Sequence, residues 1–389
     1  LNTAAPANKL LNNILDQGMH RTRGILATVA TILILNSLPL IAAQAQYAPI
    51  MPLAAQSLLL DIATAGQRLV VVGERGHILY SDDHGNSWQQ SRVPTTQLLT
   101  AVFFVDSQHG WAVGHDGLIL ASDDAGLNWR VQRDGIAAQQ QENIEARERS
   151  YQQVEQLREQ LPGAAANDAQ RLEIELEDAA LDLEDADLAL IETVHTPPLM
   201  DIWFQDRQSG WAVGAFGVLL ATDNGGRNWT QRGDQLDNPD EAHLNAITGD
   251  GEGRLLVAGE SGAMFRSVDG GSSWDTLPAL YDGSWFGLVY NARPSALLVF
   301  GLRGHLFRST DFGDTWQAVD SGNQMTLAGG SSHEGKIVLA GAVGTVLRSD
   351  DGGEHFRTIT LPQRLSLSSA LVQDDNLVLV GQGGARVVS

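Results

Sequence analysis

One phrase recurs seven times along this chain: Gly-x-x-Gly, a short apolar run, then Ser/Thr-x-Asp-x-Gly-x-x-Trp, which the last copy does not reach. Its first glycine falls at Gly73, Gly114, Gly214, Gly259, Gly301, Gly341 and Gly381. The copies stand about 40 residues apart, except for one gap of about 100 between Gly114 and Gly214. A period near 40 that carries several short strands is that of a β-propeller blade. The repeat predicts an all-β, seven-bladed propeller. The long gap predicts one ordinary blade plus an insertion.

The turn that closes each copy has a physical reading. Its third position holds Asp83, Asp124, Asp269, Asp311 and Asp351, with Asn224 in the third copy. A side-chain oxygen there accepts from backbone N–H groups a few residues on. The glycine two residues later supplies a positive φ, and the closing aromatic covers the turn. This is the Asp-box, or BNR repeat. We read its six copies as hairpin clips rather than catalytic or metal-binding groups, because the acids are committed to their own backbone.

Composition narrows the function classes. The chain has no cysteine, which excludes disulfides and thiolate chemistry. Its net charge of −22 argues against a nucleic-acid partner. The ten histidines show no metal-ligand spacing, and no cofactor or small-molecule motif is present.

Residues 20–45 have the pattern of a secretory signal: His20, Arg21 and Arg23, an apolar run from Gly24 to Ile41, then Ala43-Gln44-Ala45. Cleavage after Ala45 and a periplasmic or secreted location are expected; the alternative is a retained anchor. Met19 is a plausible start, with residues 1–18 upstream of it. Blades 1 and 2 then occupy 46–133 and blades 3–7 occupy 197–389. The seventh copy stops where a third strand ends, so the segment Tyr47–Met51 is expected to supply the outer strand of blade 7.

The insertion, residues 134–196, is poor in glycine and rich in Ala, Glu, Leu and Asp. Leu172, Leu176, Ala179, Leu183, Ala186 and Leu190 follow the seam spacing of a coiled coil. Ile144, Tyr151, Val154, Leu157 and Leu161 form a weaker stripe upstream, and Leu161-Pro162-Gly163 breaks the two. A helical hairpin of arms about 35 Å long is expected, with Asn167 or Asp168 capping the second helix. It should project from the face that carries the Gly-x-x-Gly loops. Sixteen acids against four arginines make it strongly acidic. That reads either as a solvated helix face or as an arm that reaches a partner.

The Asp-boxes, the two Gly-Trp-Ala-Val-Gly strands (Gly110–Gly114 and Gly210–Gly214) and the seven Gly-x-x-Gly loops together resemble the photosystem II stability/assembly factor family. The resemblance covers about residues 47–133 and 197–389. It implies a seven-bladed BNR propeller with an assembly or scaffolding role and no enzymatic activity. It also implies a protein partner, a membrane protein complex such as the photosystem or, in non-photosynthetic bacteria, an exporter of the resistance-nodulation-division type. The chain departs from the family in its long helical insertion. It also lacks the photosynthetic members' basic patch, having only Arg75 and Arg303 in the equivalent loops.

The rival reading is a secreted sialidase-like glycoside hydrolase, since sialidases also carry Asp-boxes. Three arginines on a carboxylate and a Tyr–Glu nucleophile pair are not evident, and the Phe/Tyr-Arg-Ile-Pro motif is absent. For protein binding, the candidate contacts lie in the Gly-x-x-Gly loops: the apolar Phe216, Leu302 and Val343, and the cationic Arg75 and Arg303.

Overall fold

Apolar β-branched runs bounded by glycine turns pair into short antiparallel strands. In a computed structural model, which describes residues 46–373 and 376–388, they form seven sheets. Blade 1 sets the pattern: β1 (Leu59–Ala65), β2 (Arg68–Gly73), β3 (Ile78–Ser81) and β4 (Gln89–Gln90), in sequential antiparallel order. Blades 2 to 6 repeat it, starting at Leu99, Leu199, Leu244, Trp285 and Leu327. The second strands of blades 2 to 4, such as Gly110–Gly114, are buried along their whole length. A strand covered on both faces by neighbouring blades reads as a continuous apolar run, which is why these segments do not alternate.

The core therefore lies between blades. Val70, Val72 and Ile78 of blade 1 pack on Val102, Ala112 and Leu120 of blade 2. Trp111 of blade 2 stacks on Phe204 of blade 3, ring centroids 3.5 Å apart.

The structure corrects the expectation for blade 7. Among the described residues its sheet has three strands, Leu367–Gln373, Asn376–Gly381 and Arg386–Val388. Tyr47–Met51 does not join it. That segment lies along blade 1 instead: Ala48 N donates to Val93 O (2.9 Å), Met51 N donates to the Gln90 side chain (3.0 Å), and Tyr47 lies against Arg92. The seam between blades 7 and 1 is made a few residues later, where Ala385 N donates to Ala55 O at 3.0 Å. Pro49 and Pro52 explain the miss, because proline cannot donate to a strand ladder.

The insertion is a helical hairpin, α1 (Gly135–Gln160) and α2 (Ala166–Ala189). Val154 and Leu157 of α1 meet Leu172 and Ala179 of α2, with Leu161, Leu176 and Leu183 alongside. Three details differ from the sequence reading. Ile144 and Tyr151 are exposed, not in the seam, and Leu190 is exposed at its end. Near the base the seam is polar instead: Arg147 pairs with Asp187 (3.0 Å) and Asn143 donates to Ala189 O (3.1 Å). Neither Asn167 nor Asp168 caps α2, whose N-cap is Ala165 without a side-chain bond. The side-chain cap is on α1, where Asp134 accepts from Ala137 N at 3.1 Å. No helix among the described residues is long and apolar enough to cross a membrane.

Candidate protein-binding face

Each Gly-x-x-Gly loop joins the second and third strands of a blade, and close packing explains its first glycine. A Cβ on Gly114 would lie 2.1 Å from Leu98 O, and one on Gly341 would lie 2.0 Å from Thr326 O. The same carbonyls accept from the next residue, His115 N (3.0 Å) and Ala342 N (2.9 Å). The loop is thereby clamped onto the start of the innermost strand in each blade.

That clamp sets the tip. The second middle residue of every loop is in the left-handed region: Arg75 (φ 58°), Asp116 (57°), Phe216 (55°), Ser261 (52°), Arg303 (58°), Val343 (58°) and Gly383 (82°). Six of the seven carry a side chain there, at a cost of about 1–2 kcal/mol each relative to right-handed backbone. Phe216 is 58% exposed and Val343 46%, and Arg75 and Arg303 also face solvent. Leu302 is a correction. It is the first middle residue of its loop, has helical backbone and is half-buried, so it is not a tip. Arg75 and Arg303 make no ion pair among the described residues. Phe216 meets His243 edge-on (4.7 Å) and borders a surface hollow of about 400 Å³ with Leu236, Asn238 and Pro239.

The hairpin is rooted on this same face. Arg133 donates to Gly117 O of the blade 2 loop, and Gly135, at the start of α1, sits against that loop where a Cβ would meet Asp116 O.

The opposite face carries the Asp-boxes. In blade 2, Ser122 Oγ donates to Asp124 Oδ1 (2.9 Å) and accepts from Gly126 N (3.0 Å), while Asp124 Oδ1 accepts from Asn128 N (2.9 Å). Asp83, Asp269, Asp311 and Asp351 repeat this, and Asn224 serves likewise. The hydroxyl four residues on, then its backbone N–H, hold Asp83, Asp269 and Asp311 down at about 2. The boxes also tie blades together: Arg266 reaches Asp314 (2.7 Å) and Arg308 reaches Gly352 O (3.0 Å). Asp351, Glu354 and His355 come close enough to share an ion, but all three are exposed and His355 already bonds Asp351.

The central channel, about 460 Å³, holds two acids that composition and spacing did not single out, Asp61 and Asp201. The signal was present as a lone Asp before Ile in an apolar innermost strand, Leu59–Ile62 and Leu199–Ile202. Asp61 Oδ2 accepts from Val102 N (3.0 Å) across the seam of blades 1 and 2. Asp201 Oδ2 accepts from Ile247 N (2.9 Å) across that of blades 3 and 4. Other seams are bridged by donors to backbone carbonyls, Thr100 to Leu199 O, Asn245 to Trp285 O and Ser332 to Tyr290 O, and by Ser331 Oγ, which accepts from Val372 N. These polar groups form a belt that stitches inner strands together.

Burial pushes Asp61 up to about 6 and Asp201 to about 7, against their backbone donors; repulsion by the Asp61 carboxylate adds to the rise at Asp201. The folded state then holds these protons more tightly than the unfolded chain, whose aspartates titrate near 3.8. Their stabilising effect is full at acid pH and is lost as pH rises through 6 and 7. Both groups are partly open to channel water, so we expect a loss on the order of 1 kcal/mol per carboxyl between pH 5 and 8. Thermal melts across that range should show a falling melting temperature, and Asp61→Asn should flatten the slope. An unchanged slope in Asp61→Asn would contradict the assignment.

Among the described residues, the channel lining contains no arginine that could clamp a substrate carboxylate. Tyr281 donates to Ser284 O, and Tyr290 bonds Ser295.

A family profile described as "Photosynthesis system II assembly factor YCF48" matches residues 83–157 and 184–322, more than half of the chain. The stretch it leaves out between them is the distal part of the hairpin. The photosystem II assembly lipoprotein Ycf48 of Synechococcus sp. (strain CC9902) is 38% identical over 88 residues, 22% of this chain and 25% of that protein. The chain matches a quarter or less of the length of its curated relatives. Among solved structures, YCF48 bound to a D1 peptide superposes with a TM-score of 0.58 at 13% identity, over 88% of this chain and 95% of that one. A GH74 enzyme from Niastella koreensis reaches 0.57 at 12% identity, over 88% of this chain and 53% of the enzyme. At such identities these structures establish the propeller fold alone. The sequence match over blades 1 to 5, the Asp-boxes and the seven-bladed architecture agree, and the chain belongs to the photosystem II assembly factor YCF48 family of BNR propellers.

Proposed function

We propose that this protein is a non-enzymatic scaffold, a periplasmic accessory or assembly factor that binds a membrane protein complex through its Gly-x-x-Gly face and its hairpin. The observation that carries the reading is the ring of left-handed tips, where Phe216 and Val343 hold apolar side chains in solvent at a conformational cost. Strain kept at exposed apolar positions points to a contact. Arg75 and Arg303 add two cations to the same rim, neither paired with a carboxylate among the described residues, although Arg75 Nη1 donates to Met51 Sδ (3.9 Å). A solved structure of YCF48 bound to a D1 peptide supports a peptide segment of a partner protein as the class of ligand. The leader-like residues 20–45 support the compartment, and an exporter-type complex is the partner proposed for a bacterium without photosystems.

The glycoside hydrolase alternative would use Asp61 and Asp201 as its acid and base, since raised carboxyls in a channel suit that chemistry. Their oxygens are instead engaged by Val102 N and Ile247 N. Affinity capture from native membranes tests the proposal. Phe216→Asp should lower partner recovery about tenfold by burying a charge in an apolar contact, with the melting temperature unchanged. Purified protein should turn over no glycoside. Measurable turnover that is lost in Asp201→Asn, or undiminished capture by Phe216→Asp, would overturn it.

A further inference from the structure

The hairpin has a second apolar stripe that its own packing leaves uncovered. Leu172, Leu176, Ala179 and Leu183 of α2 face α1. Ile174 and Leu181 each follow a seam residue by two positions, about 200° around the helix, and so point away from α1. Leu188 continues the row at the same seven-residue spacing, and Ile191 lies in the turn just past the end of α2. Their exposures are 57%, 58%, 46% and 80%. Apolar groups seven residues apart fall on one face of a helix, one position in each heptad, and this row spans about 21 Å.

The walls of the stripe are acidic. One turn before Leu181 stand Glu177 and Asp178, and one turn after it Glu184 and Asp185. All four are exposed, and none is in an ion pair among the described residues. Arg171, the one base in α2, already faces Glu175. We propose that the outer face of α2 docks an amphipathic helix of a partner protein whose apolar stripe is flanked by lysine or arginine, forming a three-helix bundle with the hairpin. Charge selects this occupant. A second copy of the chain would set two uncompensated rows of carboxylates against each other, and an anionic lipid surface would be repelled by the same row. A cationic helix buries the stripe and neutralises its walls together. The proposal deepens the scaffold reading, and it rests on that reading only in taking the hairpin as a partner arm.

The test uses the full chain and a synthetic helical peptide of about 24 residues, with leucines at heptad spacing flanked by lysines, followed by fluorescence anisotropy. The lysine-flanked peptide should bind, and added salt should weaken it. A glutamate-flanked peptide, and one of the same composition with scattered leucines, should bind at least about tenfold more weakly. Replacing Ile174, Leu181 and Leu188 with serine should cost about the same factor, with helicity by circular dichroism unchanged. Reversing Glu177, Asp178, Glu184 and Asp185 to lysine should switch preference to the glutamate-flanked peptide. Equal binding of the scattered peptide, survival of binding in the serine variant, self-association of the wild type in sedimentation, or equal affinity for anionic vesicles would each overturn the proposal. A wild-type chain that ignores the lysine-flanked peptide yet captures its membrane partner through Phe216 would overturn it while leaving the loop-face reading intact. Peptide binding that persists where capture is indifferent to Phe216→Asp would do the reverse.

Discussion

Replacing Gly341 with alanine should destabilise the propeller by about 3 kcal/mol or more. The backbone there is extended (φ −171°), so any residue could adopt it. The penalty is steric. The new methyl would meet Thr326 O at 2.0 Å and Leu327 Cα at 2.9 Å, and both are backbone of the innermost strand. Moving that strand away would break the bond from Ala342 N to Thr326 O and expose the fully buried Leu327. Two residues on, the sign changes. Val343→Gly relieves a β-branched side chain of left-handed backbone, and that relief offsets the added freedom of the unfolded chain. Its melting temperature should match or exceed the wild type while partner binding falls. Denaturant titration of both variants checks the pair. A tolerated Gly341→Ala would show that the clamp is not what fixes the loops.

Deleting residues 139–193 should have the largest effect on binding and almost none on the fold. The arms are antiparallel, and Asn143 Nδ2 reaches Ala189 O, so the cut ends lie close together. The blade 2 outer strand ends at Arg133 and the blade 3 inner strand starts at Leu199, so no blade ladder is interrupted. Asp134 and the Gly135 contact with the blade 2 loop are kept. We expect an unchanged melting temperature and partner recovery reduced about tenfold or more, since the deletion removes a whole arm of the contact surface. A propeller that unfolds without the arm would make the hairpin a structural brace instead.

The blades were legible because each period restates its own punctuation: a clamp glycine, an Asp-box and an apolar strand between them. Blade 7 was misread because ring closure pairs residues from distant parts of the chain, and no local pattern marks where Ala55 meets Ala385. The α1 seam was half-read. Counting apolar residues captured Val154 and Leu157 but included Ile144 and Tyr151, because the true seam near the base runs through Asn143 and Arg147, which apolar periodicity does not see. At the candidate site, the loops were legible, but not which of the two middle residues forms the tip. The left-handed position is occupied by Arg, Asp, Phe, Ser, Arg, Val and Gly, so its residue types share no signature. Leu302 was grouped with Phe216 and Val343 for that reason. Asp61 and Asp201 were passed over because a single acid inside an apolar strand leaves no periodic trace. Only the geometry shows each of them spanning a blade seam.

Which face meets the partner is the central question, and site-specific photo-cross-linking answers it most directly. A cross-linking side chain is placed at Phe216, on a Gly-x-x-Gly tip, or at Asn86, on an exposed Asp-box tip, and each protein is irradiated with native membranes. Adducts to a membrane protein from position 216 and none from position 86 are predicted. Adducts from position 86 with none from position 216 would contradict the proposal and move the binding face to the Asp-boxes.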